Sequence, residues 1–183
     1  MRKWNAVLSM GILVLFLLHA VIGGFQLSGI LSGGGSILTV LSWVMVCLIA
    51  VHALLGVILT VQTLSAQKKA GTVYRKENRM FRVRRISGFA VMLLILSHIV
   101  IFLGSSEGGV YRLNPFGTAQ LISQMLLVLS IAVHVLTNIR PLMLALGVRG
   151  FREFFTDILL ILSVILCFCG AAFLIYFLRW QQI

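Results

Sequence analysis

The sequence predicts an all-α integral membrane protein of five transmembrane helices, and three observations predict it. Of 183 residues, 60% are hydrophobic and only 10% charged, with mean hydropathy +1.09, which is too apolar for a soluble domain of this size. The apolar residues gather into five runs, 4–24, 37–64, 86–104, 118–139 and 155–178, each near the roughly twenty residues a helix needs to cross about 30 Å of hydrocarbon. One histidine falls in each of the first four runs: His19, His52, His98 and His134. The chain therefore reads as a single transmembrane domain, 1–183, with a four-helix core and one peripheral helix.

The first run follows Met1-Arg2-Lys3 and has the outline of a signal peptide, but no A-x-A-like cleavage site follows and cleavage would remove His19. It is read as a helix. The glycine-rich stretch from Gly23 to Ser36 lacks the Lys-Ser/Thr of a phosphate-binding loop, so it is read as a flexible turn. The second run ends at a basic segment from Lys68 to Arg85, from which the third emerges. The fourth runs from Thr118 to Ile139. The fifth opens with Glu153 and Asp157, acids placed where the positive end of the helix dipole favours them, and closes with Arg179-Trp180, an interfacial anchor.

Thirteen of the fifteen basic residues lie at one set of helix ends, the exceptions being Arg112 and Arg179. The positive-inside rule puts the N-terminus and both basic loops in the cytoplasm and the C-terminus outside. The net charge of +11 is thus a topology signal, and its contacts are anionic lipid headgroups or an acidic face on a partner protein rather than nucleic acid. Cys47, Cys167 and Cys169 all lie within apolar runs and read as small buried hydrophobes, and there is no C-x-x-C-H for covalent haem attachment.

The depth of each histidine follows from its distance to a helix end. His19 comes about five residues before Gly24, and His98 about six before Gly104, on helices that run outward. His52 and His134 each come about fifteen residues beyond an outer start, on helices that run inward. At ~1.5 Å per residue the outer pair lies ~8 Å and the inner pair ~22 Å below the outer boundary, a separation of roughly 14 Å. Two pairs at two heights is the frame that two stacked haems need. Neutral imidazole offers iron a lone pair without carrying charge into lipid, and two imidazoles from facing helices close both axial positions. The second ring nitrogen needs a partner of its own, for which Ser130, four residues before His134, and Ser97, adjoining His98, are candidates. Gly23 and Gly56, four residues after His19 and His52, leave room on the ligands' own faces or permit close helix packing.

Two readings compete with this one. Four independent buried histidines would be hydrogen-bonded to backbone or would line a proton path. A metal transporter would use histidines too, but pairs ~14 Å apart cannot form one four-ligand site, and no intramembrane carboxylate or methionine-rich path assists them.

The third run opens Arg84-Arg85-Ile86-Ser87-Gly88 and reaches His98 ten residues after the glycine, and the fourth carries His134-x3-Asn138-Ile139-Arg140. These resemble the R-x-[ST]-G…H and H…N/G…R patterns of the cytochrome b membrane anchors of succinate dehydrogenase and fumarate reductase. The resemblance spans essentially the whole chain, with histidines on the first four of five helices. It implies two b haems, the outer held by His19 and His98 and the inner by His52 and His134. It further implies electron transfer between a membrane quinone, menaquinone or ubiquinone, and cytoplasmic iron-sulfur and flavoprotein subunits. The chain would then be the electron-transfer subunit of an oxidoreductase in the plasma (inner) membrane of a prokaryote, not itself catalytic on the dicarboxylate. Arg85, Ser87 and Arg140 match positions the family uses for haem propionates or a quinone carbonyl, although Arg85 is equally explained as a topology anchor.

The chain departs from that pattern in having no Asp or Glu in its first four helices. Glu107 in the outer loop is left as the candidate proton acceptor, with Gln26 and Gln120 as candidate quinone contacts. The short loops also admit a second assignment, a dihaem anchor for a divergent flavoprotein reductase with another acceptor. A third is a haem-free, histidine-lined anchor or transporter.

Overall fold

The computed structural model describes residues 2–33, 35–71, 79–103, 105–107, 110–112, 115–148 and 152–181. Five helices follow one another: α1 (Arg2–Leu27), α2 (Ser36–Lys69), α3 (Arg79–Phe102), α4 (Thr118–Ala145) and α5 (Arg152–Trp180). Between α3 and α4 stands a small antiparallel hairpin, β1 (Ser105–Glu107) and β2 (Val110–Arg112), with Ser105 opposite Arg112. All five helices are long and apolar enough to cross a membrane, as in a multi-pass membrane protein.

The helices outrun the apolar segments that predict them. α2 has 34 residues against the 28 of its apolar run, and α3 begins seven residues before its own. Hydropathy marks where lipid is met, whereas the backbone ladder continues for as long as its hydrogen bonds are satisfied. The extension of α2 ends on Lys68 and Lys69, where cations face the negative end of the dipole, and α3 takes up Arg79, Arg82, Arg84 and Arg85 before its first apolar turn is complete. We call this end of the bundle, which also holds the start of α1, the basic end. The three-residue strands of the hairpin are too short to leave a periodic signal in the sequence.

Packing is uneven. α3 lies most closely along α4, α1 packs on both α2 and α5, and α5 covers α4, while α2 barely meets α3. Across the diagonals, the Cα atoms of α1 and α3, and those of α2 and α4, nowhere approach within 8 Å among the described residues. The first four helices therefore surround a centre that only side chains cross. α2 is the least enclosed, and its Val51, Leu54, Val57 and Val61 form an exposed apolar stripe of the kind that faces lipid.

The fifth helix does more than line the periphery. Leu162, Leu166, Cys169, Ala172, Phe173 and Tyr176, half of the buried apolar side chains among the described residues, all belong to α5. At the far end Phe173 and Tyr176 pack with Phe116 and Phe102 in an aromatic cluster that closes the bundle. The order of enclosure follows from what each helix faces: α5 packs along α1 and α4 with an almost wholly apolar face, whereas the inward faces of the first four are interrupted by polar groups. Arg179, expected as an interfacial anchor, lies against the end of α1, its Nη1 donating to the Leu27 carbonyl at 3.4 Å beside Gly29, whose φ of +78° ends that helix.

Near the basic end α4 contains Pro141. Proline has no N–H, so the Thr137 carbonyl four residues earlier loses its helical donor. Arg84 of α3 takes that place, its Nε donating to the Thr137 carbonyl at 3.0 Å. The helix continues past the proline to Ala145 and stops at Gly147, where a φ of +85° lets the Val148 N–H turn back to the Met143 carbonyl at 2.9 Å.

Arg84→Ala should therefore leave a carbonyl without a donor and lower the thermal stability of the purified protein, by roughly 1–3 kcal/mol. In a Pro141→Ala background, where the helix satisfies Thr137 itself, the same substitution should cost less. Equal losses in the two backgrounds, read from detergent-phase melting curves, would show that Arg84 does not serve that carbonyl.

Candidate functional site

The four histidines point into the central space and meet there in two couples. The rings of His19 and His98 have centroids 6.1 Å apart with an interplanar angle of 76°. Those of His52 and His134 are 6.5 Å apart at 77°. Each couple joins diagonal helices, α1 with α3 and α2 with α4, which have no close backbone approach. The imidazoles bridge a gap their helices leave open.

Every ring is held from the side by a polar group on a neighbouring helix. Ser42 Oγ lies 3.1 Å from His19 Nδ1, Ser9 Oγ 3.2 Å from His52 Nδ1, Ser87 Oγ 3.3 Å from His134 Nδ1, and Gln124 Oε1 2.7 Å from His98 Nδ1. The direction of these bonds is fixed by the hydroxyls' other commitments. A serine has one proton to give, and Ser9, Ser42 and Ser87 donate theirs to the backbone carbonyls of Asn5, Leu38 and Arg84. Their oxygens therefore accept from the ring, as does the amide oxygen of Gln124. With the hydroxyl protons on those carbonyls, each histidine is assigned as the Nδ1–H tautomer, which leaves Nε2 as the lone-pair nitrogen.

This arrangement was not legible from the ligands' immediate neighbours. Ser97, expected to serve His98, bonds instead to Ser123 at 2.7 Å, and the partners come from adjacent helices. A side chain directed across the bundle presents Nδ1 to the next helix rather than to its own turn. The missed signal was a spacing. Ser9 precedes His19 by ten residues, Ser42 precedes His52 by ten, Ser87 precedes His98 by eleven and Gln124 precedes His134 by ten. Ten residues of helix is ~15 Å, so each helix carries a histidine at one level and the partner of its neighbour's histidine at the other.

The Arg-Arg-Ile-Ser-Gly segment resolves into separate tasks. Arg84 serves α4, and Ser87, which is buried, holds His134. A Cβ built on Gly88 would stand 3.0 Å from His134 Cε1 and 3.2 Å from Nδ1, so this ring lies flush against glycine backbone. Arg85 reaches the other way, with Nη1 3.4 Å from the Gly56 carbonyl one turn beyond His52 and its guanidinium over the Phe81 ring. Arg140 is exposed at the basic end of α4. At the opposite level the imidazole of His98 lies against Phe102 and Phe173.

The remaining candidates lie apart from the couples or outside the description. Gln26 donates to the Ser32 carbonyl, and Gln120 accepts from the Gly117 N–H as a cap on α4, so both amides have local employment. The side chain of Glu107 lies outside the described residues.

What the couples can hold follows from their dimensions. With metal–imidazole bonds of about 2.0–2.1 Å and roughly 1.1 Å from nitrogen to ring centre, two trans imidazoles have centroids about 6.3 Å apart. Both couples fall within about 0.2 Å of that figure. A Cβ on Gly23 would meet nothing within 4 Å and one on Gly56 only the mobile end of Arg85, so the ligands' own faces have room beside them. No group of three or more His, Cys, Asp and Glu that could bind a metal is present among the described residues, and the histidine rings meet two by two. A porphyrin supplies four equatorial donors and requires only two axial ones, which is the number each level provides. Neither family models, curated proteins nor solved structures give a match to the chain.

Gly88→Ala should crowd the His134 ring and lower stability by about 1–3 kcal/mol. Gly11→Ala, whose added methyl meets nothing within 4 Å, should be neutral or slightly stabilising. A thermal melt of the two variants that reversed this order would contradict the packing of His134 on α3.

Proposed function

We propose that the chain is a dihaem cytochrome b membrane subunit. It would carry electrons between a membrane quinone pool and a cytoplasmic flavoprotein and iron-sulfur partner of the succinate:quinone or quinol:fumarate oxidoreductase type. The observation that carries this reading is the pair of bis-histidine couples, each at the spacing of trans axial ligands and each with Nε2 left as the lone-pair atom. Haem would supply the reversible one-electron chemistry. The protein's part is to hold the axial nitrogens in place and keep water away.

On this reading His19 and His98 hold the outer haem, and His52 and His134 the inner one. Arg85, beside Gly56 and one turn from His52, is the best-placed cation for an anionic substituent of the inner haem or a quinone carbonyl. Arg140 at the same end is a second. Ser87 has a different task, since its hydroxyl is committed to His134 and the Arg84 carbonyl. Gln26, Gln120 and Glu107 remain the candidates for quinone and its proton near the outer boundary, with the two amides exchanging a local bond for the ligand. The basic end faces the cytoplasm of a prokaryotic cell by the distribution of arginine and lysine, and presents Lys68, Lys69, Arg79 and Arg82 to an acidic partner surface or to anionic lipid.

The test is a reduced-minus-oxidised optical spectrum with a pyridine haemochrome assay on purified protein, which should give two b haems per chain. Folded protein made with haem available and containing none would end the cytochrome reading and leave a histidine-lined anchor or transporter. His19→Ala and His98→Ala should each remove one haem, and His52→Ala and His134→Ala the other. Both haems surviving in any of the four would count against the ligand assignment.

The ring angles give an independent signature. If His19 with His98 and His52 with His134 hold haem iron at the ring angles seen here, 76° and 77°, the two iron orbitals that interact with the imidazole π systems would be nearly equal in energy. Both ferric haems should show highly anisotropic low-spin electron paramagnetic resonance, with a single large-g feature. A three-line rhombic spectrum from both would mean that the planes are closer to parallel.

A further inference from the structure

His98 differs from the other three histidines in what receives its Nδ1–H. Three rings donate to serine hydroxyls at 3.1–3.3 Å, whereas His98 donates to the amide oxygen of Gln124 at 2.7 Å. Gln124 is fully buried, with 0% of its surface exposed, a rare state for so polar a side chain. Its amide is oriented at both ends: Nε2 faces Ser123 Oγ at 3.5 Å, Ser123 is itself bonded to Ser97, and Oε1 is left to the ring. The phenyl groups of Phe102 and Phe173 flank the same imidazole and keep the bond in a medium of low polarity, where it is strongest. Gln124 also stands where the repeated spacing places serine in the other three helices, ten or eleven residues before a histidine.

We propose that Gln124 is a positioning residue that tunes the outer redox centre. This rests on the haem reading above. Its amide oxygen fixes His98 in the tautomer that leaves Nε2 as the ligand atom, and it draws on the Nδ1–H more strongly than a hydroxyl does. The ring becomes a better electron donor through Nε2, which favours ferric over ferrous iron and lowers the reduction potential. Histidine's own position depends on the helix; its basicity depends on Gln124.

The experiment is an anaerobic redox titration of the full-length, haem-loaded protein, followed optically, comparing the unsubstituted chain with Gln124→Ser and Gln124→Leu. Serine installs the partner found at the other three positions, and leucine removes the acceptor while keeping most of the volume. Both variants should retain two haems and raise the midpoint of one component, with the larger shift for leucine. The component that moves should be the one missing from His98→Ala, and the other should stay where it was. Unmoved midpoints in both variants, a downward shift, or a shift confined to the other haem overturns the proposal. Loss of haem from both variants also overturns it, assigning Gln124 to packing alone. If the unsubstituted protein binds no haem, the haem reading fails separately, and nitrogen-15 spectra of histidine-labelled protein decide the part played by the amide. A His98 resonance protonated at Nδ1 that changes in Gln124→Leu supports the assignment, and one protonated at Nε2 overturns it.

Discussion

An imidazole placed among apolar helices has two nitrogens to satisfy, and the structure follows from how it satisfies them. Leaving a buried polar group without a partner costs several times what a made hydrogen bond contributes. In this bundle Nδ1 of each ring is served by the neighbouring helix, so helix pairing and histidine orientation are the same fact. α1 exchanges Ser9 and Ser42 with α2, and α3 exchanges Ser87 and Gln124 with α4. The serines in turn are anchored on their own helix by a bond to a carbonyl three or four residues earlier, which leaves them only the accepting role toward the ring. One proton on each hydroxyl thus sets the tautomer of a histidine on another helix.

The consequence lies in the second nitrogen. Because every Nδ1 is a donor, every Nε2 carries a lone pair, and the rings meet across the diagonals at distances suited to a shared metal. Diagonal helices of a four-helix bundle meet through side chains alone, and here their Cα atoms nowhere come within 8 Å among the described residues. Much of the apolar burial lies at the side, where α5 buries Leu162, Leu166 and Ala172 as it packs along α1 and α4. The aromatic cluster at the far end and the Arg84 contact to Thr137 near the basic end tie the helices together at both extremities.

The parts of this that the sequence disclosed were those governed by one dimension. Five apolar runs and the count from each histidine to a helix end need only helical rise, and they grouped His19 with His98 and His52 with His134. The structure brings those same rings together. The helix ends were placed short because hydropathy reports lipid contact while Lys68, Lys69 and Arg79 to Arg85 remain helical beyond it. The partners of Nδ1 were not disclosed, since serine is common in membrane helices and its choice between neighbours is made in the plane perpendicular to the helix. Ser97 next to His98 and Ser130 before His134 were the candidates along the chain, and the working partners came from across the helix interface. The tie between Pro141 and Arg84, separated by 57 positions, was equally invisible until α3 lay along α4.

The spacing of ten or eleven residues between polar partner and histidine explains why both levels need both hairpins. In the first hairpin Ser9 and His52 stand toward the basic end and Ser42 and His19 toward the far end, and the second hairpin repeats this with Ser87 and His134, then Gln124 and His98. Each hairpin on its own completes the second-nitrogen bonds of its two histidines but presents only one ring per level. Opposing the two supplies the second ring at both levels at once, without any further residue. A pair of similar hairpins would give two equivalent sites if their partners were the same. Only one of the four positions has left the serine pattern, at Gln124, and it touches only one level. The two couples therefore share their geometry, 76° and 77°, while differing in the acceptor behind a single ring. On the haem reading, the two sites would be alike in shape and unlike in the electron donation of a single ligand.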